Sequence, residues 1–124
     1  MMQFSIAVAA ISLLQMPIAP VEPADVGFEE LTAERNDAAI RSIEANTRIE
    51  ADDPARLINL GIAHAREGRI AEARAAFDAV LRHDDRVQLE TATGDWVDSR
   101  HLAKRAMTML AAGEFNSGTR FAKR

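Results

Sequence analysis

The chain has no cysteine. That excludes disulfides, thiolate metal sites, a thiol nucleophile and a lipidated cysteine anchor. Only 5% of residues are aromatic, whereas 48% are apolar. The core must therefore rest on aliphatic side chains, with alanine prominent, and this favours helices in close contact over a sheet sandwich. The apolar share also excludes a chain disordered by composition. No apolar run approaches the roughly 20 residues that a bilayer-spanning helix needs. The sequence carries no Gly-rich phosphate loop, no nucleophile elbow and no metalloprotease histidine motif.

What is present is one modest domain's worth of chain, 124 residues with a net charge of −4. The acidic balance suits solubility and argues against general nucleic-acid binding. Charge is unevenly spread. Val21 to Pro54 holds ten acids and three bases, whereas Ser99 to Arg124 holds six bases and one acid. The plain reading is solvated helix faces of opposite sign. The functional reading is a basic face that meets an acidic segment or a chain terminus.

The first residues read separately from the fold. Phe4 to Leu14 is apolar and suits a signal-peptide core, with Ala19 as a small residue for cleavage. Residues 1–19 are expected to direct export, with the periplasm as the destination. The alternative is an uncleaved N-terminal segment that attaches the protein to a membrane. Residues 20–24, with Pro20 and Pro23, read as an extended linker. A helical domain is expected over 25–124, with no integral membrane span once the leader is removed.

Set against itself at an offset of 34, the sequence repeats. Gly27 falls on Gly61, Arg35 on Arg69, Ala39 on Ala73, and Ile43 on Phe77. A period of this size signals stacked units that cannot bury their apolar faces alone. Gly61 and Ala73 are small where bulk is expected, which predicts two helices whose backbones approach closely. Asp53 and Pro54 suit the start of a helix as cap and first residue. Leu57, Leu60, Ile70, Phe77, Val80 and Leu81 are expected to supply the apolar burial around this crossing.

These residues resemble the tetratricopeptide repeat. Leu57, Leu60-Gly61, Gly68, Ala73 and Phe77 stand at that family's spacing. His64 replaces its usual tyrosine, and Val80 its second small residue. The first copy keeps Gly27, Ala39 and Ile43 but carries Glu30 and Glu34 at the tyrosine and turn-glycine positions. The resemblance implies an all-α fold of stacked antiparallel helix pairs, a fragment of an α-solenoid, with units at about 23–50, 54–83 and a degenerate 98–124.

The period breaks after Arg82. Val87, Leu89 and Thr91 alternate, Thr93-Gly94-Asp95 signals a turn, and Trp96-Val97 follows. This predicts a small β-hairpin at 87–97. Trp96 is expected to seal the core edge, with an exposed partner anchor as the alternative. A helix resumes after Asp98 or Ser99, and Gly113 ends it. Asn116 to Arg124 is too short for a full second helix, and it is expected to cap the stack or fray.

The histidines, His64, His83 and His101, show no metal-ligand spacing. His64 reads as a core or groove histidine with a hydrogen-bond partner, and His83 as a favourable residue at a helix C-terminus. No catalytic residue, cofactor or metal is expected.

The resemblance further implies a groove along the first helices of successive units, which in some members grips a peptide's terminal carboxylate. By motif position Asn59 would supply an amide, and Arg100 and Lys104 the cations. Ile58, Ile62 and Arg66 would line the same groove. Ala24 and Phe28 stand where the first unit would need Lys and Asn. The implied function is that of a non-catalytic protein- or peptide-binding adaptor. The alternative is a small helical homo-oligomer or a structural subunit of a larger assembly.

Overall fold

The structure is a computed structural model that describes residues 27–115 and 122–123. The expected leader (1–19) and linker (20–24) lie outside the described residues. Five helices are described: α1 (Phe28–Thr32), α2 (Asn36–Ala45), α3 (Pro54–Arg66), α4 (Ile70–Arg82) and α5 (Ser99–Ala111). Between α4 and α5 stand β1 (Gln88–Thr91) and β2 (Trp96–Asp98), and β3 (Ala122–Lys123) follows α5. The protein is thus mostly helical with a small antiparallel sheet.

Helix starts follow local chemistry. The Asp53 side chain accepts from Arg56 N at 3.1 Å, with Pro54 at the first helical position. Asp98 accepts from the backbone of Arg100 and His101 at 3.0 and 3.2 Å. These side chains satisfy amides that have no partner within their own helix.

Three of the helix ends share one geometry. Glu34, Gly68 and Gly113 have φ of 58°, 76° and 71°, the left-handed region. Behind each, the next amide reaches back across the turn. Arg35 N donates to Glu30 O at 2.8 Å, Arg69 N to His64 O at 2.8 Å, and Glu114 N to Met109 O at 2.9 Å. This is the Schellman closure of a helix. It occurs after α1, α3 and α5, and the first two instances lie 34 residues apart.

The core sits between the helices. Phe77, Leu31, Ile43, Ile58, Ile62 and Val80 are its largest fully buried side chains. Gly61 of α3 lies directly against the Phe77 ring of α4. A Cβ at position 61 would lie 2.5 Å from Phe77 Cε1. The same pairing recurs one unit earlier, where a Cβ on Gly27 would lie 2.8 Å from Ile43 Cδ1. Ala39 and Ala73 are both fully buried. Phe115 stacks on Phe77 with ring centroids 5.9 Å apart.

Neighbouring helices pack in sequence, and α3 also touches α1, α5 and β3. Buried residues therefore occur all around α3, from Pro54 to Ala65. Leu57 and Leu60 are only partly buried. Ile70, expected inside, is 43% exposed at the start of α4.

The hairpin forms where the alternation and turn residues placed it. β1 is central in the order β2-β1-β3, antiparallel to both neighbours. Its base is fastened to α5: Ser99 N donates to Val87 O at 2.8 Å, and Val87 N donates to Ser99 Oγ at 3.2 Å. Leu89 and Thr91 face inward, while Gln88 and Glu90 face out. The third strand lies in the segment expected to cap the stack or fray, and the sequence expectations did not include it. Ala122 and Lys123 pair with Thr91 and Glu90.

Candidate functional site

The groove residues implied by the repeat resemblance do not come together as an open surface. Asn59 is fully buried, and Ile58 and Ile62 are almost so. Four helices and β3 enclose α3, so the face assigned to a ligand is occupied by the fold itself.

The two arginines have structural duties. Arg66 Nη1 donates to Leu31 O at 3.0 Å and to Asn36 Oδ1 at 3.3 Å. It thereby satisfies a carbonyl at the end of α1. Burial pushes its guanidinium below the ordinary arginine value, and the nearby Glu34 carboxylate partly opposes this. Arg100 Nη2 donates to His83 O at 2.6 Å and Asp84 O at 3.4 Å, just past the end of α4. Arg56 does likewise for the end of α2, donating to Asn46 O at 3.2 Å. Such bonds complement the negative end of the helix dipole. Lys104 alone of the six groove candidates stands exposed, so the amide-and-cation clamp is not assembled.

His64 is buried on α3, as its helical position suggests, but its Nδ1 has no hydrogen-bond partner, which corrects the expectation of a hydrogen-bonded ring at that nitrogen. Glu30, its counterpart one unit earlier, likewise holds a buried Oε2 without one. His83 joins distant segments. Its Nε2 lies 3.2 Å from Asp52 Oδ2, and its Nδ1 accepts from Asp85 N at 3.1 Å. A shallow cleft of about 490 Å³ lies there, lined by Asp52, Ala79, Arg82, His83, Asp84 and Asp85. No group of three or more His, Asp or Glu among the described residues is arranged to hold a metal ion.

The surface feature that the core does not explain is the outer face of the hairpin. Trp96 is 65% exposed, which corrects its expected place at the core edge. The cause is register. Val97 pairs with inward-facing Leu89, so its neighbour Trp96 pairs with outward-facing Glu90. The strand is nonetheless held firmly. Asp98, the next residue, caps α5 and accepts from Arg86 Nε at 3.0 Å. That bond, the two capping amides and the nearby positive charge hold the Asp98 carboxyl below the usual aspartate value.

Comparison with known proteins finds no matching family model, no matching curated protein and no matching solved structure. The chemistry is therefore read from the residues alone. Among the described residues, no helix is long and apolar enough to cross a membrane. The hairpin offers an indole and a carboxylate on a fixed scaffold, which suits binding by contact.

Proposed function

We propose that this protein is a non-catalytic protein- or peptide-binding module built from tetratricopeptide-like helix pairs. Trp96 carries the reading. It is the largest side chain in the protein and stands mostly in solvent on a strand whose other face is packed. Exposed aromatics on rigid supports are the commonest energetic anchors of protein interfaces. The repeat part of the proposal is supported by the matched turns at Glu34, Gly68 and Gly113. The paired close approaches of Gly27 to Ile43 and Gly61 to Phe77 support it too. We place the module outside the cytoplasm, in a compartment such as the periplasm, on the strength of the apolar stretch Phe4–Leu14.

The test is affinity capture from native extract with the tagged full chain, beside Trp96→Ala. A partner held by the first and lost by the second, at equal melting temperature, is the expected result. Equal capture by both would remove Trp96 as the anchor.

The exposed Ile70 favours a second reading, a helical homo-oligomer or assembly subunit. Sedimentation of the wild type against Ile70→Glu distinguishes it, because self-association through α4 would be lost in the variant.

A further inference from the structure

β1 is a central strand with unequal neighbours. Its inner partner β2 pairs with Gln88, Leu89 and Glu90, whereas β3 pairs only with Glu90 and Thr91. Among the described residues, the outer side of Gln88 has no strand beside it. The backbone groups of Leu89 face β2, whereas those of Gln88 point outward, where a longer strand would satisfy them. The edge is also fixed in place, because Leu89 and Thr91 are buried beneath it. Glu90 forms no ion pair among the described residues, and the register sets position 123, a lysine, directly opposite it. Opposite charges at such facing positions favour pairing.

We propose that the outer edge of β1 is a docking site for an extended partner segment that adds antiparallel to the sheet and bears a Lys or Arg facing Glu90. Ala122–Lys123 is the internal occupant that such a segment displaces. The proposal rests on the peptide-binding reading and supplies the chemistry of the partner. Main-chain hydrogen bonds give the affinity, and the cation opposite Glu90 gives the selectivity. The internal strand lowers apparent affinity by the fraction of edges it leaves open, so at roughly 90% occupancy its release strengthens binding about tenfold.

The probe is a fluorescein-labelled peptide with the sequence of residues 118–124, followed by anisotropy. The receptor is the full chain and its Ala122→Pro/Lys123→Pro variant, which lacks both β3 amide donors. The variant should bind about tenfold more tightly than the wild type. Glu90→Lys in that background should weaken binding about fivefold, and a peptide with Glu at position 123 should restore it. No saturable binding by a variant with unchanged helical circular dichroism overturns the proposal. So does a charge swap that restores nothing. If the proline variant does not fold, Lys123→Glu in the full chain must raise affinity for the unmodified peptide, and equal affinity overturns the proposal. A concentration-dependent dimer that the proline variant dissolves would assign the edge to a second copy and likewise overturn it. A chain that captures a Trp96-dependent partner but binds no peptide refutes the edge while leaving the broader reading intact.

Discussion

Phe77 fills the space that a side chain at Gly61 would need. A Cβ there would meet Cε1, Cδ1 and Cζ of the ring at 2.5, 2.8 and 2.9 Å. The ring is fully buried and stacked on Phe115, so it has no free direction in which to yield. Gly61→Ala gains about 1 kcal/mol of helix propensity but overpacks the crossing by about 1–3 kcal/mol. With three ring atoms inside contact distance, overpacking wins. The melting temperature should fall by several degrees, and Phe77→Leu should cost less in the Gly61→Ala background than in the wild type. Independent, additive effects would contradict this account.

Glu34 holds a left-handed backbone that its counterparts Gly68 and Gly113 adopt without a side-chain penalty. A non-glycine residue there costs about 1–2 kcal/mol, and glycine's extra freedom in the unfolded chain cancels part of the gain. Glu34→Gly should therefore stabilise by about 0.5–1 kcal/mol in denaturant melts. Glu34→Gln isolates the attraction to Arg66, which lies at an exposed carboxylate and should move stability by less than about 1 kcal/mol. A destabilised Glu34→Gly would show that the turn is held by side-chain contacts.

Asp98 links acid stability to the base of the hairpin. Its folded pKa lies below the ordinary value of 3.8, first because Arg86 donates to it. As pH falls, the unfolded chain takes up this proton before the folded one does. Its contribution is therefore complete above the unfolded value and is lost as pH drops through the folded value. Asp98→Asn keeps a good cap but gives up the charge. Urea midpoints of wild type and variant should differ at pH 7 and converge in acid, once pH has fallen below the folded value. A difference that persists in acid would point to geometry instead of charge.

Arg100 and Lys104 separate structure from surface. Removing the Arg100 guanidinium strips hydrogen bonds from His83 O and Asp84 O. Arg100→Ala should cost about 1.5–3 kcal/mol, whereas Lys104→Ala should stay within about 0.5 kcal/mol. Thermal melts of both single variants check this. Equal behaviour would return Arg100 to the open clamp that the repeat resemblance implies.

The parts legible in the sequence were those written locally. Asp53-Pro54, the Gly113 stop and the Thr93-Gly94-Asp95 turn each specify their element within a few residues. The 34-residue offset reached further, because it marked Gly61 and Ala73 as the small residues of a close helix crossing, with Phe77 among the apolar residues around it. The candidate site was legible only in its ingredients. Whether Trp96 faces in or out depends on one step of strand register, and a sealing role and an anchoring role suit the same residue. Ile58, Asn59 and Ile62 lie on the expected helix, but their burial depends on how four other helices and β3 pack around it. The duty of Arg100 depends on where α4 ends in space. Two residues of β3 carry too little pattern to announce a strand.

That short strand also bears on how the protein behaves under stress. Glu90 pairs with Trp96 through a tight turn but with Lys123 only after the whole of α5 has intervened. The second pairing returns only two residue pairs, against the three of the hairpin. Warming or mild denaturant therefore peels Ala122–Lys123 away while the helices still hold. The species left behind is folded in its core and bare along one side of β1. An uncovered strand of that kind is a template for other chains. The first step toward aggregation is then the loss of a two-residue cover, well before global unfolding.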